Sequence, residues 1–295
     1  MSGETSFNYR EGWYTSQDGL RLFYRDYPGP DDQGLSSGAA VLCLPGVTRN
    51  SSDFDRLAER LSARYRVLCP DFRGRGLSAY DPDPDNYTLA SYVNDAKHLL
   101  AVCGVSHVHV IGTSLGGIAA MVMAVAIPST LASVVLNDIG PEIGSDSLGG
   151  IVEYMKDDTA LPDWDAVTDH VRAAFLPNLP KGSDDDWQRI ARNTYKETTD
   201  GTFVHAFDQG IVKQFEKALT TKIDLWPLFM ALGGIPVLTL RGALSGILSA
   251  DTLGAMGDAM PAMTSLTVED RGHPPLLSEP PVLEAIDAHL ARAWH

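Results

Sequence analysis

Cysteine is scarce, and so is any spacing that would put it to use. The chain holds three, Cys43, Cys69 and Cys103. An odd number without metal-ligand spacing argues against a disulfide scaffold and against a thiolate zinc site. Cys43 and Cys69 fall in apolar, strand-like runs, so buried free thiols in a reducing compartment are expected. Positive charge is short as well: 23 Lys and Arg face 38 Asp and Glu, a net charge of −15. Such a surface does not neutralise phosphates, which argues against nucleic acid as a partner and against adhesion to anionic lipid. No uncharged apolar run reaches the roughly eighteen residues of a membrane span, so no membrane partner is expected. The opening "MSGETSFNYREGWY" lacks the basic and apolar regions of a secretory signal, which makes the cytoplasm the expected location. The acidic clusters at 81–85 and 183–187 read as solvated loops and helix starts rather than as metal ligands.

What is present is a rhythm. A length of 295 residues allows one large domain, or a core with an elaborated insertion. "GWYTSQDGLRLFYRDYPG" reads as a hairpin around Asp18-Gly19, a type I′ turn signal. The runs "AAVLCLPG", "YRVLCPDFRGRG", "HVHVIGTS" and "LASVVLNDIGP" read as strands, and "DFDRLAERLSARY", "TLASYVNDAKHLLAVCG" and "LGGIAAMVMAVAIP" between them read as helices. Apolar strands alternating with helices predict an α/β fold, a mostly parallel sheet covered on both faces. From Glu142 to about Trp226 no strand run is evident and four helical segments follow one another. The α/β rhythm resumes with "IPVLTLRG" and "SLTVEDRGH". The expected organisation is therefore a core over 1–141, a helical lid over 142–226 and the rest of the core over 227–295.

Ser114 stands in Gly112-Thr113-Ser114-Leu115-Gly116, a G-x-S-x-G with an apolar strand leading in and a helix following at once. That context suits a nucleophile. A sharp strand-to-helix turn strains the serine backbone and small neighbours let the chains approach closely. The hydroxyl then stands clear of the sheet, and the Leu115 N–H lies at a helix N-terminus, where negative charge is favoured.

With "LCLPGVTRN", "CPDFRGRGLS", "GTSLGG" and "DRGHPPLLSEP" in this order, the chain resembles the α/β-hydrolase family over essentially its whole length. It is similar to the capped, lipase- and esterase-like branch. The resemblance implies that the loop after the third strand supplies a second oxyanion donor, the Val47 N–H, to pair with that of Leu115. Pro45-Gly46 stands where family members often carry His-Gly. A backbone donor is indifferent to that change, and Arg49 and Asn50 next to it are either substrate contacts or structural. The resemblance also implies that His273, after the last strand, is the base. His98, His107, His109, His289 and His295 read as structural, and His205 as a candidate for the lid.

The acid is less direct. Many relatives carry an aspartate in the turn after the penultimate strand, where this chain reads Arg241-Gly242-Ala243-Leu244-Ser245-Gly246. Glycine cannot orient an imidazole. Asp251 further on reads as a helix cap, and Glu269 and Asp270 lie too near His273 in sequence. Asp138, in "VVLNDIGP", stands where some haloalkane dehalogenases and lactone hydrolases of this fold place their acid, and is the preferred candidate. Two readings stay open: the acid is Asp138, or it is missing and the enzyme is impaired.

The function expected is hydrolysis of a small-molecule ester or lactone through an acyl-enzyme on Ser114, with neither metal nor organic cofactor. Alternatives are carbon–carbon bond hydrolysis of diketones on the same residues, and ligand binding by a degraded hydrolase. Trp164, Phe175, Tyr154, Trp187, Phe207 and Trp226 are available to an apolar pocket. Nothing in the sequence specifies an oligomeric state.

Overall fold

The computed structural model describes residues 7–30, 39–220 and 223–293. Residues 1–6 of the N-terminal stretch and His295 lie outside them. Among the described residues ten strands form in chain order: β1 (Arg10–Thr15), β2 (Arg21–Tyr27), β3 (Ala40–Leu44), β4 (Val67–Pro70), β5 (Val108–Thr113), β6 (Leu131–Asn137), β7 (Tyr195–Glu197), β8 (Phe203–His205), β9 (Val237–Gly242) and β10 (Thr264–Val268). The main sheet has eight of them in the order β1-β2-β4-β3-β5-β6-β9-β10. From β4 to β10 every pairing is parallel, and only the β1–β2 and β2–β4 pairings are antiparallel. All five residues of β3 and all six of β5 are buried, as strands covered on both faces must be.

Helices α1 (Asp55–Leu61), α2 (Leu89–Val102) and α3 (Leu115–Ala126) belong to the first half of the core. The central helix α3 packs against β5, β6 and β3, and its small residues permit it. A Cβ on Gly116 would come within 2.1 Å of the Leu44 carbonyl oxygen, so only glycine lets α3 sit this close to β3. Between β6 and β9 lie α4 (Ser145–Lys156), α5 (Trp164–Phe175), α6 (Asp184–Thr194), α7 (Gly210–Thr220) and α8 (Trp226–Met230). Helices α9 (Ala250–Ala259) and α10 (Pro280–Arg292) complete the core. Among the described residues no helix is long and apolar enough to cross a membrane.

Two local expectations need correction. The β1–β2 turn is not type I′, because of the Asp18-Gly19 pair only Gly19 takes a positive φ, 92°. Ser16 N–H instead closes the loop onto Leu20 O at 2.9 Å, and a glycine in the left-handed region ends a three-residue connection. The block between β6 and β9 is not purely helical either. Tyr195–Glu197 and Phe203–His205 pair as an antiparallel hairpin, which Leu161 extends by a bridge to Phe203. That block has its own apolar centre, with Val167, Val171, Leu179, Trp187 and Phe203 buried together.

The chain moves from β3 leftward to β4 and then rightward to β5. Such a reversal opens a crevice at the carboxyl ends of the strands. The ends of β3, β5, β6, β9 and β10 all deliver their loops there.

Candidate active site

Ser114 sits between β5 and α3 with φ 52° and ψ −114°. Few side-chain-bearing residues take this backbone, which costs of order 1–3 kcal/mol and holds only where the surroundings fix it. Here they do: Ser114 N–H donates to Asn137 O at 3.1 Å, and Ser114 O accepts from Gly117 and Ile118 N–H at 2.9 and 3.1 Å. The hydroxyl faces His273, with Oγ 3.0 Å from Nε2. Of the described histidines, His273 alone reaches it.

His273 lies on the loop after β10, and its Nδ1 is 2.7 Å from Asp138 Oδ2. A carboxylate accepts only, so the network assigns the ring proton to Nδ1 and leaves Nε2 free to accept from Ser114. Asp138 is fully buried and follows β6 in the left-handed region, φ 58°. Its Oδ1 accepts from Gly242 N–H at 2.8 Å and its Oδ2 from Ser245 Oγ at 2.5 Å. A buried charge is tolerable when its lone pairs are filled in this way. Asn137 ties the strand ends together, donating from Nδ2 to Thr113 Oγ1 and to Pro275 O, each at 3.1 Å.

The structure thus brings Ser114, His273 and Asp138 into one hydrogen-bonded chain. The other acidic candidates are elsewhere. Asp251 is not the cap of α9, because Ser249 Oγ accepts from Thr252 N–H instead. Asp270 pairs with Lys181 Nζ at 2.6 Å, and Glu269 is exposed.

Leu115 opens α3, and the first amides of a helix have no carbonyl one turn back to bond. Val47 follows β3 and lines the same cavity as Ser114 and Leu115, and its N–H donates to no described group. The Val47 carbonyl accepts from Arg75 Nε at 2.6 Å. Arg75 is fully buried, with its other nitrogens on Arg73 O at 2.8 Å and Tyr92 Oη at 3.1 Å, so it anchors the loop at the Val47 carbonyl, one peptide unit beyond the Val47 N–H. In "CPDFRGRGLS" nothing local to Arg75 signals this role. Arg49 and Asn50 resolve as structural. Both Arg49 Nε and Nη2 bond the Asp53 carboxylate, and Nη1 bonds Thr194 Oγ1. Asn50 Oδ1 caps the turn at Ser52 and its Nδ2 donates to Asn193 O at 2.7 Å.

A cavity of about 520 Å³ opens over Ser114 and His273. Ile118, Ile139, Ile143, Leu148 and Ile151 give it an apolar wall, and Arg49, Tyr154, Asn178 and Arg189 are among the residues that complete its lining. Among the described residues Arg189 has one hydrogen bond, Nη2 to Asp186 Oδ1 at 3.3 Å, and its buried Nε has none. Of the six aromatics available, only Tyr154 and Phe175 line the cavity, joined by Phe215. Trp187 is core of the inserted block, Trp164 packs on Phe203 with centroids 4.5 Å apart, and Trp226 donates to Glu142. Phe207 stacks on His205, 4.8 Å between centroids. His205 is buried without touching the cavity, and burial pushes its pKa down to about 4.

A parallel sheet of this order, with a strained serine at the strand-to-helix turn and a histidine–carboxylate pair on later strand ends, defines a hydrolase fold. The family model described as "Alpha/beta hydrolase family" matches residues 41–286, and the chain belongs to that family. It is 30% identical over 272 residues to the 3-hydroxybutyrate-oligomer hydrolase of Cupriavidus necator, covering 88% of this chain and 89% of that one. It is 27% identical over 237 residues to the 2-(acetamidomethylene)succinate hydrolase of Mesorhizobium japonicum, covering 80% and 82%. The crystal structure of an alpha/beta hydrolase from Novosphingobium aromaticivorans superposes with a TM-score of 0.91 at 38% identity, over 97% of this chain and 99% of the other.

Proposed function

We propose that this hydrolase cleaves small esters or lactones through an acyl-enzyme on Ser114. The observation that carries the reading is the continuous chain of contacts, 3.0 Å from Ser114 Oγ to His273 Nε2 and 2.7 Å from Nδ1 to Asp138. His273 Nε2 takes the Ser114 proton as Oγ attacks the carbonyl carbon. The Val47 and Leu115 N–H groups receive the oxygen that becomes negative, and one such donor is worth about 3 kcal/mol of barrier. Asp138 stabilises the imidazolium, which then protonates the departing alcohol. Water, deprotonated by His273, releases the acid and frees Ser114. In this reading residues 142–226 are a cap, since Tyr154, Phe175, Arg189 and Phe215 supply the cavity wall facing the sheet edge.

The substrate we favour carries a carboxylate besides its ester. Arg189 lines the cavity, and among the described residues its guanidinium makes a single contact, the 3.3 Å ion pair of Nη2 with Asp186. The names of the two curated relatives both describe carboxylate-bearing substrates, an oligomer of 3-hydroxybutyrate and a substituted succinate. The 2.7 Å contact of Asp138 with His273 Nδ1 favours a complete triad over the impaired-enzyme reading that Gly246 suggests. The test is turnover of a 3-hydroxybutyrate dimer against its methyl ester, with Ser114→Ala as control. Preference for the free acid that Arg189→Ala abolishes is expected. Equal turnover of both would set aside the carboxylate, and activity in Ser114→Ala would set aside the mechanism.

A further inference from the structure

The short 3₁₀ turn Leu176–Asn178 follows α5 in the cap, far in sequence from the base, yet it grips the base's loop. Asn178 O accepts the Gly272 N–H at 2.7 Å, and Asn178 Oδ1 accepts the His273 N–H at 3.1 Å. Gly272 is pressed onto it: a Cβ there would lie 2.2 Å from Asn178 Oδ1 and 2.8 Å from its Cα. Only glycine permits that approach. Two further contacts flank this one. Lys181 Nζ bonds Asp270 Oδ2 at 2.6 Å, and Leu276 packs against the cap's own apolar centre beside Leu179 and Trp187.

The core holds the same loop on its other side. Leu244 N–H donates to Arg271 O at 2.8 Å, Arg271 Nε pairs with Glu279 at 2.6 Å, and Asn137 holds Pro275 O. None of these touches the His273 backbone. Ser114 and Asp138 fix where the ring points, whereas Asn178 fixes the main chain that carries it. A base must hold its acceptor nitrogen within hydrogen-bond reach of the nucleophile, and small displacements are expensive.

We propose that Asn178 is a positioning residue for His273, so that the base reaches its working geometry only with the cap docked on its loop. The inference rests on the reading of Ser114 and His273 as nucleophile and base. The cap then does more than shape the cavity: its seating sets the catalytic competence of the core.

Asn178→Ala and Asn178→Asp, made in the full chain, test this with a neutral ester that does not need Arg189. Loss of the side-chain acceptor lowers kcat roughly five- to tenfold, the weight of one net hydrogen bond, with KM nearly unchanged. Asn178→Asp keeps the acceptor and restores most of kcat. Its added charge stabilises the imidazolium, so the acidic limb of the kcat/KM profile moves up by about 0.5 pH unit. The charged groups already facing the loop, Asp138, Asp270 with Lys181, and Arg271 with Glu279, are the same in both variants. Unchanged kcat in Asn178→Ala would overturn the proposal. So would an equal loss in both variants with the acidic limb unmoved, because that marks a purely structural role. His273→Ala separates the premises: if it keeps turnover the assignment of the base fails, and if it is inactive while Asn178→Ala is normal only the positioning role fails.

Discussion

The Ser245 hydroxyl donates to the fully buried carboxylate of Asp138 across 2.5 Å, from the end of β9 to the end of β6. Its direction is fixed, since Ile247 and Leu248 N–H point at the same oxygen, at 3.1 and 3.3 Å, and leave its proton only the carboxylate. Gly242 N–H fills the other carboxylate oxygen at 2.8 Å. The turn that contains Gly246 thus serves as the mount for the Asp138 carboxylate on the neighbouring strand.

Ser245→Ala removes a hydrogen bond to a charged group, typically worth about 1.5–3 kcal/mol. Ester turnover is expected to fall about tenfold or more, with the far-UV spectrum unchanged. Gly246→Asp is the converse experiment. His273 Nδ1 is already engaged, so the added carboxylate brings no gain, and a severalfold rise in kcat would show that the acid had been missing.

Asp138→Asn keeps the shape but not the charge, and an amide stabilises neither the tautomer nor the imidazolium. A loss of about 10⁴ in kcat is expected from such a change, measured on the same ester with folding checked by circular dichroism. Near-normal turnover would remove Asp138 from the mechanism.

Much of this was legible in the sequence, for physical reasons that differ from residue to residue. Strands β3 and β5 announce themselves as short unbroken apolar runs, and the elbow by its glycines between strand and helix. Asp138 was visible as a candidate, but which strand end faces His273 is a tertiary fact, carried by contacts more than a hundred residues apart in sequence. The two readings open for Arg49 and Asn50 could not be separated in sequence, because the Thr194 and Asn193 groups that bond them lie more than 140 residues away. Ser245 and Asn178 give no local signal, since a lone serine in a turn and a lone asparagine beside a proline are common in any chain. The hairpin of β7 and β8 escaped because three-residue strands are too short to show a period.

Gly116→Ala tests the packing that presents Ser114. The added methyl meets the Leu44 carbonyl at 2.1 Å, a backbone atom that cannot swing aside. Destabilisation of about 2–3 kcal/mol or more is expected, read as a lower melting temperature and poor soluble yield. A variant as stable as the parent would mean that α3 and β3 are less closely apposed.

Acid should unfold the protein early. Burial pushes His109, His205 and His289 each down to about 4, with the Arg292 guanidinium as a further cationic neighbour of His289. The ordinary value is about 6.5. The unfolded chain therefore binds protons that the folded one refuses, and stability is lost as pH falls from about 6.5 toward 4. The urea midpoint should drop between pH 7.5 and 5, above the range where most carboxylates titrate. His205→Phe should flatten that slope, and a pH-independent midpoint in the parent would contradict the burial of these rings.

The most direct test of the central claim is the mass of the protein quenched during turnover of a slowly deacylating ester. The account predicts a single covalent adduct of the acyl group's mass, on the peptide containing Ser114, which chases away with time and is absent in Ser114→Ala. Turnover with no adduct, or with the adduct on another residue, would contradict it.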